Sequence, residues 1–196
     1  MEPTEPDLEV TVVARRTLPL SSWLQIDEID VRMPGAEGIE TYHGIRQADA
    51  VSVLAMTPAG EFLLVRQYRP IIDAWTWELP AGAVDEGETP AEAGARELNE
   101  ETGFRLGRMI PLGSVHEDPP RRTNKLFGFF ALLESERDAH EAGMRSRLVS
   151  GPELRALAAS GELAVPSQVA LIWRAGLSDP VRTVLRTLNF PTPPWI

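Results

Sequence analysis

The stretch GAVDEGETPAEAGARELNEETGF, residues 82–104, decides how this chain is read. It carries seven acidic side chains against one arginine, and like charges so crowded repel unless something positive lies between them. Thr89-Pro90-Ala91-Glu92 opens a helix on three counts: threonine caps, proline suits the first helical position and Glu92 completes a capping box. Gly103 is placed to stop it. Ala91, Ala95 and Leu98, spaced by four and three, share one face, and the spacing predicts that Ala95 and Leu98 pack on a sheet. Glu97, Glu100 and Glu101 stand at i, i+3 and i+4, which stacks three carboxylates on one stripe. So close to a helix C-terminus they oppose the macrodipole. Either the stripe is a solvated face or it is a cation site. Glutamate oxygens are hard ligands, and no thiolate or imidazole is near in sequence, so the cation to expect is Mg²⁺ or Mn²⁺. Arg96 can orient one of the carboxylates by a bidentate contact.

Outward from this helix, the N-terminal side reads as strands. LEVTVVARR (8–16), LQIDEIDVRM (24–33) and ETYHGIRQ (40–47) are strand-like. The second of these slips its alternation once, which predicts a bulge or two short strands. AVSVLAM (50–56) and EFLLVRQYR (61–69) read as a hairpin inside a sheet. Beyond the helix, MIPLGSVHE (109–117) and KLFGFFALLE (125–134) are strand-like and flank the polar loop DPPRRTN. ERDAHEAGMRS (136–146) reads as a loop. GPELRALAASG (151–161) and SQVALIWRAG (167–176) read as helices, the second continuing through DPVRTVLRTL. Strands with helices set between and after them predict an α+β fold or an α/β/α sandwich.

Bulk properties narrow the partners. With 29 acidic against 19 basic residues the net charge is −10, which argues against nucleic acid or an anionic membrane surface. A local cation can still reverse the field for a small anionic substrate. The chain has no cysteine and three histidines, which excludes thiolate sites and disfavours zinc. The acidic N-terminus MEPTEPDLEV lacks the basic and apolar regions of a signal peptide, and no apolar run reaches membrane-spanning length. The expectation is a cytoplasmic protein.

The segment 82–104 resembles the Nudix box, G-x5-E-x7-R-E-U-x-E-E-x-G-U with U bulky and apolar. Gly82, Glu88, Arg96, Glu97, Leu98, Glu100, Glu101, Gly103 and Phe104 fill every position. The resemblance implies a Nudix α/β/α sandwich with a mixed sheet, residues 48–196, preceded by an antiparallel strand extension, residues 1–47. It implies Glu97 and Glu101 as principal metal ligands, with Glu100 a further ligand or near neighbour and the Ala81 carbonyl completing the set. Arg96 would orient a box glutamate, Gly82 would permit the turn and Glu88 would brace the loop. LLVRQYRP (63–70), WELPAG (77–82) and a proline about fifteen residues past the box (Pro119) resemble the ADP-ribose pyrophosphatase group. That group implies hydrolysis of ADP-ribose or a related nucleoside diphosphate sugar to a nucleoside monophosphate and a sugar phosphate, and a homodimer through the N-terminal strands.

By the same resemblance Arg69 is the first candidate for binding substrate, with Arg66 and Glu78 behind it. A plain strand salt bridge is the alternative for the two arginines. Trp23, Trp75 and Trp77 could stack on a base, though burial in the core or at a dimer contact is the simpler expectation. A catalytic glutamate is expected on the late loop, where Glu141 is nearest in position, Glu134 and Glu136 are alternatives and His140 could serve as base. The loop Asp118-Pro119-Pro120-Arg121-Arg122 lacks the glycine usual in the group, so another nucleotide (GDP-mannose, a dinucleoside polyphosphate or a damaged nucleotide) is the alternative substrate. A third alternative is a non-catalytic domain that senses a nucleotide.

Overall fold

The computed structural model describes residues 9–137 and 144–195, the side chains of 135–137 excepted. The chain divides into two units. The first comprises residues 1–48 together with 116–124. Its three-stranded antiparallel sheet runs β1 (Thr11–Pro19), β2 (Gln25–Arg32), β3 (Glu40–Arg46), in that order. The irregularity expected in the second strand lies in the first: β1 shifts register between Val12 and Ala14, while β2 is continuous. The slip in the β2 alternation thus corresponds to no bulge in its own backbone. Buried Asp27 pins the sheet by accepting from Arg46 Nη2 at 2.7 Å and from Thr17 Oγ1 at 2.6 Å. These bonds, Arg46 first, hold its carboxyl below the usual range. The segment 116–124 joins through Ile45, whose N–H donates to Arg121 O and whose carbonyl accepts from Thr123 N.

The second unit holds a seven-stranded mixed sheet. Its strands are β4 (Ala50–Met56), β5 (Phe62–Arg69), β6 (Ala74–Glu78), β7 (Ala81–Ala83), β8 (Phe104–His116), β9 (Lys125–Arg137) and β10 (Arg145–Val149). The order is β10-β5-β4-β9-β8, with β6 added on β5 and β7 on β4. The expected hairpin of β4 and β5 pairs only at Met56 and Phe62. Beyond that point the strands part: β4 runs parallel to β9 and takes up β7, while β5 takes up β6. β10 begins at the end of the stretch expected to be loop and runs on through residues 147–149, for which no element is expected.

Alternation along the central strands makes two cores. Val51, Val53, Ala55 and Leu63, with Phe129, Ala131 and Leu133, pack under Ala93 and Leu98 of α1 (Pro90–Thr102). Leu54, Met56, Leu64 and Phe130 point the other way, onto α2 (Gly151–Ser160), α3 (Pro166–Leu177) and α4 (Asp179–Thr187). The unit is thus the α/β/α sandwich with mixed sheet. α3 and α4 are separate helices where one was expected. Ser178 is extended (φ −73°, ψ 117°) and its side chain accepts from Val181 N–H, so it caps a new helix. Trp195 closes the second core, edge-on to Phe62 and stacked near Phe130.

Candidate functional site

The α1 helix begins and ends as its sequence dictates. Thr89 accepts from Glu92 N–H while Glu92 Oε2 accepts from Thr89 N–H at 2.8 Å, and Gly103 takes a left-handed φ of 72°. Its buried stripe is rotated from the expected one. Ala91 is exposed and Ala95 only half-buried, whereas Ala93, Gly94, Leu98 and Glu101 face the sheet. Gly94 explains the rotation: even a Cβ there would stand 3.4 Å from Val53 Cγ2, so the helix approaches the sheet along its least bulky line. The three glutamates consequently differ. Glu100 is exposed, Glu97 half-buried, and Glu101 only 3% exposed.

Arg96 ties the acidic segment together. Its Nε and Nη2 donate to the two oxygens of Glu88 at 2.9 and 2.8 Å. Nη1 donates to Glu97 Oε1 at 2.8 Å and Glu100 Oε2 at 3.2 Å, and Nη2 also reaches the Ala83 carbonyl at 3.0 Å. One guanidinium therefore fastens the loop before α1 to two carboxylates upon it. The contact with Arg96 holds Glu88 below the usual carboxylate range. The acid partners, Glu88 first, raise Arg96 further above its ordinary value.

Glu101 points the other way, onto β5 and β7. Oε1 accepts from Gln67 Nε2 at 2.5 Å and Oε2 from Ala81 N–H at 3.1 Å. Burial pushes its pKa up to about 8, with the charges of Glu97 and Glu78 adding and those of the Ala81 N–H and Arg69 opposing. Burial likewise raises Glu97, against the pull of Arg96. Gly82 sits against Glu97 so closely that a Cβ would lie 2.0 Å from its carboxyl carbon.

On the same face of β5 as Gln67, Arg69 forms a bidentate pair with buried Glu78, Nε to Oε1 at 2.7 Å and Nη2 to Oε2 at 2.5 Å. Thr76 Oγ1 adds a bond to Glu78 at 2.6 Å. Burial works against ionised Glu78, but Arg69 and Thr76 outweigh it and lower the pKa. Arg66, one position off in the alternation, is turned to the opposite face, beside Trp75 and Trp77. Trp23 and Trp75 are exposed in the single chain, so neither belongs to its core, and Trp77 is half-buried. Arg121 and Arg122 lie nearest Asp118 and Glu117, at 3.9 and 3.6 Å. Glu141 and His140 lie outside the described residues, as does the side chain of Glu136. Gln67 was missed in the sequence, although the period of β5 puts residues 63, 65, 67 and 69 on one face.

Among the described residues no three or more His, Cys, Asp or Glu side chains are gathered so as to clasp a metal ion. The carboxylates instead engage Arg96, Gln67 and the Ala81 N–H. Their chemistry nevertheless fits a hard divalent cation. The oxygens belong to successive turns of one helix, and the ionised form of buried Glu101 is left without a full counter-charge, which such an ion would supply.

A family model described as the NUDIX domain matches residues 46–158. An ADP-ribose pyrophosphatase of Bacillus subtilis is 27% identical over 138 residues, 68% of this chain and 74% of that protein. An ADP-ribose pyrophosphatase of Mycobacterium tuberculosis is 38% identical over 116 residues, 59% of this chain and 55% of that protein. A CMP-5'-(N-acetyl-N-hydroxy-3-aminopropyl)phosphonate hydrolase of Streptomyces rubellomurinus is 39% identical over 85 residues, 43% of this chain and 41% of that protein. The chain thus spans about half the length, or less, of two of these three relatives. The crystal structure of an ADP compounds hydrolase superposes with a TM-score of 0.74 over 95% of this chain and 100% of that one, at 18% identity, a likeness of fold.

Proposed function

The chain belongs to the Nudix family, and from that premise we propose that it hydrolyses the pyrophosphate bond of ADP-ribose or a related nucleoside diphosphate sugar, releasing a nucleoside monophosphate and a sugar phosphate. The observation that carries this reading is the acidic helix face itself: Glu101, nearly buried against Gln67 and the Ala81 N–H, beside the pair Glu97 and Glu100 held by Arg96. The names of the Bacillus and Mycobacterium relatives support the substrate class.

In this proposal Glu97, Glu100, Glu101 and the Ala81 carbonyl would hold Mg²⁺, or Mn²⁺ in its place. Such a cation, when bound, neutralises the pyrophosphate and acidifies the attacking water. The side chains do the positioning. Arg96 sets the direction of the Glu97 and Glu100 carboxylates and keeps the loop 82–88 on the helix. Gln67 and the Ala81 N–H aim Glu101. Glu78 occupies Nε and Nη2 of Arg69, which among the described residues leaves Nη1 free to donate to a phosphate or ribose oxygen. A glutamate of the late loop, Glu141 in the first instance, is the proposed base.

The reading includes a cytoplasmic location and a homodimer formed through the N-terminal strands. Val12, Leu18, Leu20 and Trp23 are exposed on β1 and the turn after it, and an apolar groove of about 420 Å³ opens beside Ile29, Tyr42 and Pro120. Apolar surface of this kind favours self-association.

A second substrate reading keeps these residues and changes the nucleotide. It is favoured by the Streptomyces relative, named for a CMP-linked phosphonate, and by the glycine-free loop 118–122. Turnover across a nucleotide panel, with Mg²⁺ and then with EDTA, tests both. Metal-dependent release of AMP and ribose 5-phosphate from ADP-ribose supports the first reading. Turnover confined to other nucleotides supports the second. Tight nucleotide binding with no turnover on any substrate would leave a sensing domain.

A further inference from the structure

β5 and β10 set Arg66 directly opposite Arg145, and Leu64 directly opposite Arg147. Residues opposed in this way hold their Cβ atoms about 5 Å apart, and like charges there repel. The charge of Arg147 is compensated: Nη1 donates to Glu153 Oε1 at 3.0 Å and the guanidinium lies 4.3 Å over the Trp77 ring, although its buried Nε has no acceptor among the described residues. Arg66 and Arg145 have no carboxylate partner among the described residues. Arg66 stands 5.7 Å from the ring centroids of both Trp75 and Trp77, and its buried Nε finds no acceptor among the described residues. Two opposed cations and an unmet buried donor each destabilise the sheet.

The space beside them is open. Arg66, Trp75 and Arg145 line a cavity of about 230 Å³. Trp75 is 55% exposed, its ring tilted against Tyr68 at 5.6 Å. Gln67 and Arg69 occupy the alternate positions of β5 and serve Glu101 and Glu78, so this cavity opens on the other face of the sheet from the acidic cluster.

We propose that this cavity is a second binding site, for a phosphate monoester, separate from the acidic helix face. The phosphate takes the space between Arg66 and Arg145, where guanidinium forks match its oxygens and Arg66 Nε gains its missing acceptor. The sugar or base of the ligand lies along the exposed face of Trp75. The overall charge of −10 makes such a pocket selective by place: an anion is repelled elsewhere and drawn here. The site does not depend on the catalytic proposal, and its test is made without turnover.

The experiment is calorimetric titration of the full chain with AMP in EDTA, with adenosine and sulfate as comparison titrants. AMP is expected to bind, adenosine to fail, and sulfate to bind at least tenfold more weakly. Arg145→Ala, a change at an exposed position on an edge strand, is expected to weaken AMP at least tenfold, and Arg145→Lys to restore part of the loss. Trp75→Ala should weaken AMP more than it weakens sulfate. Arg108→Ala, at an exposed position of β8, should leave AMP binding unchanged. The proposal is overturned if AMP does not bind the unaltered chain or if sulfate matches it. It is also overturned if Arg145→Ala has no effect on AMP binding.

Discussion

Gly82 and Glu97 are in contact across the turn that leads into α1: a Cβ on Gly82 would stand 2.0 Å from both the carboxyl carbon and Oε1 of Glu97. The obstructed group is the far end of a flexible side chain, so Gly82→Ala leaves the fold intact and swings the carboxylate aside. A displacement of about 1 Å in a positioning group costs about 100-fold in rate. The expected result is a variant with unchanged thermal midpoint in EDTA and about 100-fold lower metal-dependent turnover. A variant that keeps full activity would show that Glu97 takes no part in holding the cation.

Arg96 makes its contacts in two directions at once, to Glu88 and the Ala83 carbonyl on the loop and to Glu97 and Glu100 on the helix. A lysine has one ammonium and cannot keep this fork. Arg96→Lys is therefore expected to lose about 10–100-fold in activity, in line with the loss of groups that orient metal ligands. The loss should show in kcat and in the Mg²⁺ concentration needed for half-activity, with substrate KM little changed. A rise in KM alone would assign Arg96 to substrate instead.

The bounds of α1 were legible because Thr89, Pro90, Glu92 and Gly103 act on their own backbone and need nothing distant. Which face it buries was legible only in part: Leu98 packs on the sheet as expected, while Ala95 is only half-buried. The rest depends on Val53 from β4 and on Gly94 permitting the approach, a contact no local spacing records. The break at Ser178 was hidden because Val181, Val184 and Leu185 continue an apolar pattern that Ala175 begins. β10 was missed because RSRLV offers two apolar residues among arginines, and its partners on β5 are about eighty positions away. Glu88 and Arg96, Arg69 and Glu78 stand within ten positions of each other; the resemblance points to each residue singly, and the structure pairs them. Arg66 with Arg145, and Gln67 with Glu101, come together only through the sheet.

Glu78 is 1% exposed and bound to Arg69 and Thr76, and its pKa is lowered from 4.5. A depressed carboxyl contributes stability that is present above the unfolded pKa and is lost as pH falls through the folded one. The window therefore lies below 4.5. Glu78→Gln should flatten the acid limb of the stability curve there. At neutral pH it should cost on the order of 1 kcal/mol, a figure kept low because the Arg69 side chain is 44% exposed. Denaturant unfolding at a series of pH values measures both, and an unchanged acid limb would mean that the pair contributes nothing to folding.

Glu101 has the opposite sign. Its pKa is raised from 4.5 to about 8, so between these values the folded chain holds a proton that the unfolded chain has released. Stability from this group is full below 4.5 and declines as pH rises toward 8. Glu97, also raised by burial, adds to the same slope. In EDTA the unfolding free energy should fall across this window, and Glu101→Gln should remove most of the fall. A divalent cation must displace the proton to bind, so stabilisation by Mg²⁺ should grow over the same range, with release of up to one proton per ion at Glu101. The activity of Glu101→Gln should drop well beyond about 10-fold, since a lost charge-stabilising group costs more than that. If the variant keeps both the pH slope and the Mg²⁺ response, the cation is held elsewhere, and the acidic face of α1 is the solvated surface that its composition alone would allow.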